Sequence, residues 1–91
     1  MAVSQENIND AIELAKEFGA THLLLFGSAL DDSENANDLD LGISGIDNSK
    51  FFLFGGKLEN LINISVDLVP LDMDSPFVDY IKKHGKYIYG S

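Results

Sequence analysis

The chain has 91 residues, enough for one small core, so it is expected to form a single domain over 1–91. Hydrophobic residues make up 45% and charged residues 23%, a globular composition that excludes a disordered chain. Six lysines, no arginine and fifteen Asp and Glu give a net charge of -9, which excludes a domain that grips nucleic acid by itself, since the phosphates would meet no basic face.

The chain has no cysteine, which removes disulfides and thiolate metal sites and suits a reducing cytoplasm. No basic and apolar leader opens the sequence, and no apolar run approaches the roughly 20 residues of a membrane helix. A cytoplasmic protein without membrane contact is expected.

Ser4 can cap a helix whose apolar positions Ile8, Ala11, Ile12 and Ala15 recur at i, i+3, i+4 and i+7, with Phe18 extending the stripe and Gly19 at its stop. Glu6, Asp10 and Glu13 lie off that stripe and read as a solvated face. Residues 21–26 form a short apolar run ended by Gly27 and read as a buried strand. His22 reads as a strand-edge or core histidine, because no second histidine lies at metal-ligand spacing.

Gly27-Ser28 follows directly. A glycine there lets backbone approach a ligand, and Ser28 can begin a helical turn with free N–H groups, although the pair taken alone is a turn. The polar loop 31–37, DDSENAN, has the oxygen side chains of a calcium loop but not its pattern. Counting from Asp31 or Asp32 puts Ala36 or Asn37 where an EF-hand needs glycine, and Gly42 or Ile43 where it needs glutamate.

Residues 38–44, DLDLGIS, alternate as a strand does, so Asp38 and Asp40 share one face while Leu39, Leu41 and Ile43 share the other. Two adjacent carboxylates repel, which makes the pair a candidate divalent-metal site. After a turn at 45–48, a second helix has apolar positions Phe51, Phe54, Leu58, Leu61 and Ile62. Gly55-Gly56 inside it costs roughly 1 kcal/mol per residue relative to alanine, so a break or an unusually close packing is expected there. Phe51, Phe52 and Phe54 read as core, with one ring available to a partner chain.

Residues 64–70, ISVDLVP, read as a third strand with Ile64, Val66 and Leu68 on one face and Ser65, Asp67 and Val69 on the other. Asp67 thus falls mid-strand among apolar neighbours, where a charge is costly unless paired or bound to metal, and no arginine exists to pair it. Ser75-Pro76 starts a third helix that runs to His84 and stops at Gly85, with Phe77, Val78 and Ile81 as its apolar face. Residues 86–89 can add a short edge strand. The expected fold class is α/β (α+β): a small mixed sheet of three to four strands flanked by three helices.

If the second and third strands lie side by side, Asp38, Asp40 and Asp67 converge. Two carboxylates on one strand and one on its neighbour can hold two magnesium ions about 4 Å apart. Magnesium takes a few carboxylates and completes its shell with substrate phosphates, so a triphosphate becomes welcome where the bare site would repel it.

FGS, nine residues, DLDL and then, after a helix, VDLV together resemble the minimal nucleotidyltransferases of the DNA polymerase beta-like superfamily. The ending IKKHGKYIYG is similar to the close of these small domains, so the resemblance spans nearly the whole chain. It implies the nucleotidyltransferase fold, with Asp38 and Asp40 as the metal-binding pair and Asp67 as the third carboxylate, helping to bind the catalytic metal and activate the acceptor hydroxyl. It also implies that Gly27 and Ser28 cradle the triphosphate of ATP or another nucleoside triphosphate, with two magnesium ions present.

Many members carry an arginine after the Gly-Ser pair, where this chain has Ala29, Leu30 and Asp31. Phosphate stabilisation then falls to metals, backbone N–H groups, Lys50, Lys57 or a partner. Small members of the family are often paired with a helical HEPN-type toxin, a ribonuclease, and the resemblance implies an antitoxin that transfers AMP to a tyrosine of that toxin. An acidic chain facing a basic partner would gain electrostatic steering. The alternatives are a degenerate binding module that neutralises a partner by occlusion, and an enzyme that modifies a small molecule. A second copy of the chain is a further partner the sequence admits.

Overall fold

The computed structural model describes residues 3–32 and 34–90. In chain order the elements are α1 (Gln5–Glu17), β1 (His22–Phe26), α2 (Ser28–Asp31), β2 (Asp38–Ser44), α3 (Asn48–Ile62), β3 (Ser65–Pro70), α4 (Pro76–His84) and β4 (Lys86–Tyr89). The four strands form one mixed sheet in the order β3-β2-β1-β4. β1 runs antiparallel to β2 and to β4, while β2 and β3 are parallel and joined through α3, as a parallel pair requires a crossover.

Local chemistry explains the boundaries. Ser4 caps α1 in a reciprocal box with Asn7: the Asn7 N–H donates to Ser4 Oγ at 3.1 Å and the Ser4 N–H to Asn7 Oδ1 at 2.9 Å. Ser75 caps α4 by accepting from the Val78 N–H, with Pro76 at the first helical position. The fourth helix, α2, is one turn long and takes in Asp31, which the sequence pattern assigns to the polar loop. Of that loop, residue 33 lies outside the described residues.

α1 and α3 cover one face of the sheet. Leu23 and Leu25 of β1 and Leu39, Leu41 and Ile43 of β2 point into this layer and bury against Ala11, Leu14, Ala15, Phe54 and Leu58. α4 covers part of the other face, where Val78 and Ile81 bury against Leu24 and Leu71. The period-2 alternation of β1 and β2 is thus satisfied on both sides.

Two expectations about α3 change. Its helix is continuous through Gly55 and Gly56. Nor is the packing unusually close: a β-carbon at Gly55 would meet Leu68 Cδ2 at 3.8 Å, an ordinary contact, and one at Gly56 would meet nothing within 4 Å. Neighbouring turns and the Phe54, Leu58 and Ile62 stripe carry the helix across the pair. Of the three phenylalanines, Phe54 is fully buried, Phe51 half-buried, and Phe52 84% exposed, so one ring does face outward. Among the described residues, no helix is long and apolar enough to cross a membrane.

Candidate active site

Phe26, Asp40 and Asp67 stand in one row across β1, β2 and β3, each the Cα partner of the next. Residues in such a row project from the same face, here the one that α4 partly covers. Asp38 lies two residues before Asp40 on that face, opposite Ser65. The hydrophobic contacts of α4 fall on Leu24 and Leu71, and the three carboxylates lie toward the start of β2 and β3.

Asp38 and Asp67 are exposed and Asp40 is half-buried. Asp67 therefore does not bear the burial cost expected of a mid-strand charge. β3 is an edge strand, and whether a strand lies at the edge or centre of a sheet is set by sheet order, which the alternation of side chains does not encode. What distinguishes Asp67 is its neighbour. The pKa of Asp40 is raised, first by its own burial, then by a side-chain hydrogen bond with Asp67, then by the charges of Asp67 and Asp38. Two carboxylates can share a hydrogen bond when one keeps its proton, and a cation placed between them would take the proton's place.

Gly27 ends β1 with φ 75° and ψ -154°, a region that side chains other than glycine's avoid. A β-carbon there would fall on the Asp40 carboxylate. The Leu30 and Asp31 N–H groups donate back to the Gly27 carbonyl at 3.1 and 3.2 Å, which closes α2 immediately after the strand. Ser28 is exposed at the start of this turn.

Of the sequence-predicted set, Gly27 touches Asp40, Asp40 lies beside Asp67 and Asp38 adds its charge, while Ser28 is exposed at the start of α2. Among the described residues, no group of three or more His, Cys, Asp or Glu side chains is arranged to hold a metal ion as it stands. The chemistry of the donor set still fits magnesium, which takes few protein carboxylates and draws its remaining ligands from phosphate and water. Lys50 and Lys57 are on α3, whose Phe51, Phe52, Gly55, Gly56 and Glu59 line a hollow of about 350 Å³ together with Asp67, and neither lysine is in that lining. His22 is a strand-edge histidine whose Nδ1 lies 2.9 Å from Thr21 Oγ1 and 3.2 Å from Ser44 Oγ.

One part of the surroundings is absent from the sequence reading. A groove of about 350 Å³ runs from Phe26, Gly27 and Asp31 to Phe77, Tyr80 and His84 of α4. Phe77, expected on the buried face of α4, is 53% exposed, and Tyr80 is 60% exposed. The i, i+3, i+7 spacing of Phe77, Tyr80 and His84, one stripe beside Val78 and Ile81, is the signal that marks this wall. A larger hollow of about 540 Å³ lies against α1 and β4, but among the described residues no carboxylate lines it.

No protein-family model matches the sequence, and no curated protein matches it. Solved structures do. An MntA-HepT toxin-antitoxin complex is 24% identical with a TM-score of 0.75, over 97% of this chain and 74% of that one. A toxin-antitoxin complex with AMP-PNP is 24% identical with a TM-score of 0.78, over 98% and 75%. A tri-AMPylated Shewanella oneidensis HEPN toxin in complex with its MNT antitoxin is 25% identical with a TM-score of 0.75, over 96% and 72%. Together with the four-stranded mixed sheet and its helices, these matches establish that the chain has the minimal nucleotidyltransferase (MNT) fold.

Proposed function

We propose that this chain is a magnesium-dependent nucleotidyltransferase that moves AMP from ATP to a tyrosine of a HEPN-type toxin, and so serves as that toxin's antitoxin. The observation that carries the reading is the Asp40 and Asp67 pair, abreast on parallel strands and backed by Gly27. Support comes from the similar complexes, one with AMP-PNP and one with a tri-AMPylated HEPN toxin.

Asp38, Asp40 and Asp67 would hold magnesium, two ions with the nucleotide present, which supplies stabilisation of the charge on the triphosphate. Asp67, the exposed member of the pair, accepts the proton of the acceptor hydroxyl. The hydroxyl oxygen bonds to the α-phosphorus as the bond from that phosphorus to the bridging oxygen breaks, and pyrophosphate leaves. Gly27 lets the backbone come up to Asp40, and Ser28 offers its hydroxyl and N–H to the phosphates. Rate acceleration then rests on positioning and on charge already in place. The net charge of -9 would steer a basic partner toward the chain.

A second reading, neutralisation by occlusion without catalysis, is favoured by the lack of a ready-made three-ligand cluster among the described residues and by the absence of arginine. One experiment separates the two. The chain is incubated with its HEPN-type partner, magnesium and ATP labelled on either the α- or the γ-phosphate. Label on the partner from α but not γ supports nucleotidyl transfer, and no label from either on a partner that is nonetheless neutralised supports occlusion.

A further inference from the structure

We infer that the outer face of α3, between Phe52 and the open edge of β3, docks a helix of the HEPN-type partner, with an apolar side chain in the hollow there and a basic one against Glu59. The inference takes the partner from the proposed function and adds the surface that binds it, whether neutralisation proceeds by transfer or by occlusion.

Phe52, Gly55, Gly56 and Glu59 recur at i, i+3, i+4 and i+7, so they form one face of α3. With Phe51 and with Val66, Asp67 and Leu68 of β3 they line the hollow of about 350 Å³. The sheet ends at β3, and no further strand closes that side.

The fold does not use this face. The buried stripe of α3 is Phe54, Leu58 and Ile62. Phe52 is almost fully exposed, its ring meeting Phe51 edge to face at 5.3 Å. The glycine pair costs helix stability, although neither residue has a positive φ and neither is packed too closely for a side chain. What the pair provides is bare backbone that another helix can approach, beside a ring that such a helix would bury.

Charge and hydrogen bonding name the occupant. The charged residues of the lining, Glu59 and Asp67, are both acids. Glu59 Oε2 accepts the Val66 N–H at 2.8 Å, and a carboxylate held in this way still has lone pairs for a lysine or arginine. By taking that N–H, Glu59 also blocks the strand edge against an added strand, which favours a helix over an extended segment. A second copy would set -9 against -9 and bring no arginine, so a basic partner is the better match.

Titration calorimetry of the whole chain against its HEPN-type partner, without ATP or magnesium so that no transfer occurs, tests the surface. Phe52→Ala should weaken binding by about tenfold or more with Tm unchanged. Gly56→Gln, which enters open space, should weaken it by about as much while melting no lower than wild type, a combination that loss of fold cannot produce. Leu61→Ala, exposed on the opposite side of the helix, should bind as wild type does. Wild-type affinity in both Phe52→Ala and Gly56→Gln, or an equal loss in Leu61→Ala, would overturn the docking surface and leave the proposed function standing. Sedimentation in which wild type self-associates and Phe52→Ala does not would also overturn it, by giving the face to a second copy. Failure of wild type to bind the partner would instead overturn the partner assignment, and the surface with it.

Discussion

Gly27 lies so close to Asp40 that a β-carbon on it would coincide with the carboxylate. Its backbone, at φ 75° and ψ -154°, is in a region that costs a residue with a side chain about 1–3 kcal/mol. Gly27→Ala should therefore lower unfolding free energy by about that amount and also displace Asp40. Chemical denaturation reads the first effect. The second is read as loss of magnesium-dependent ATP binding under conditions where the variant is still folded. A variant that is less stable but binds ATP normally would show that the contact serves the fold alone.

Asp40 sets the pH response of the bare site. Burial, the hydrogen bond with Asp67 and the charges of Asp67 and Asp38 raise its pKa in the folded state. The sign follows from linkage: a carboxylate raised on folding contributes stability below its unfolded pKa, and this is lost as pH rises through the folded value. Without divalent cation, then, Asp40 should reduce stability on passing from acid to neutral pH, and magnesium at neutral pH should restore part of it. Asp40→Asn keeps the shape and removes the charge. It should have a higher Tm than wild type at neutral pH without metal, and no gain on adding magnesium. Equal magnesium shifts in both proteins would remove Asp40 from the metal site.

Asp67 is separable from the fold because it is exposed on an edge strand. Asp67→Asn removes a charge that Asp40 faces, so without metal at neutral pH its Tm should equal or slightly exceed that of wild type, while transfer to the partner is sharply reduced. Thermal melts and labelled-ATP transfer measured on the same preparation check both halves. A variant with normal transfer would show that another group takes the acceptor proton.

The glycine pair of α3 gives a prediction about stability alone. Gly56 has open space around its α-carbon and Gly55 only an ordinary contact with Leu68. Alanine at Gly56 should stabilise the helix by about 0.5–1 kcal/mol through lower backbone entropy in the unfolded chain. Urea titration measures it. Destabilisation would mean that the helix needs the glycine for a reason its packing does not reveal.

Much of the fold was legible because it rests on local chemistry. The caps at Ser4 and Ser75, the alternation of Leu39, Leu41 and Ile43 against Asp38 and Asp40, and the opposed faces of β3 all follow from residue order. The convergence of Asp40 and Asp67 needed one further assumption, that β2 and β3 are neighbours, and the parallel register bears it out. What residue order does not carry is position within the sheet. The exposure of Asp67 depends on β3 being an edge, and that of Phe77 on how far α4 reaches across the face. α2 is too short to show helical periodicity, and so its aromatic groove with α4 stayed hidden.

The most direct measurement is the intact mass of the HEPN-type partner after incubation with this chain, ATP and magnesium. With wild type it should rise by one or more AMP moieties, and with Asp38→Ala or Asp40→Ala the rate should fall by more than about a hundredfold, since these side chains would ligate the metal directly. Neutralisation of the partner with no gain in mass, or the same gain with both variants, would contradict the nucleotidyltransferase reading.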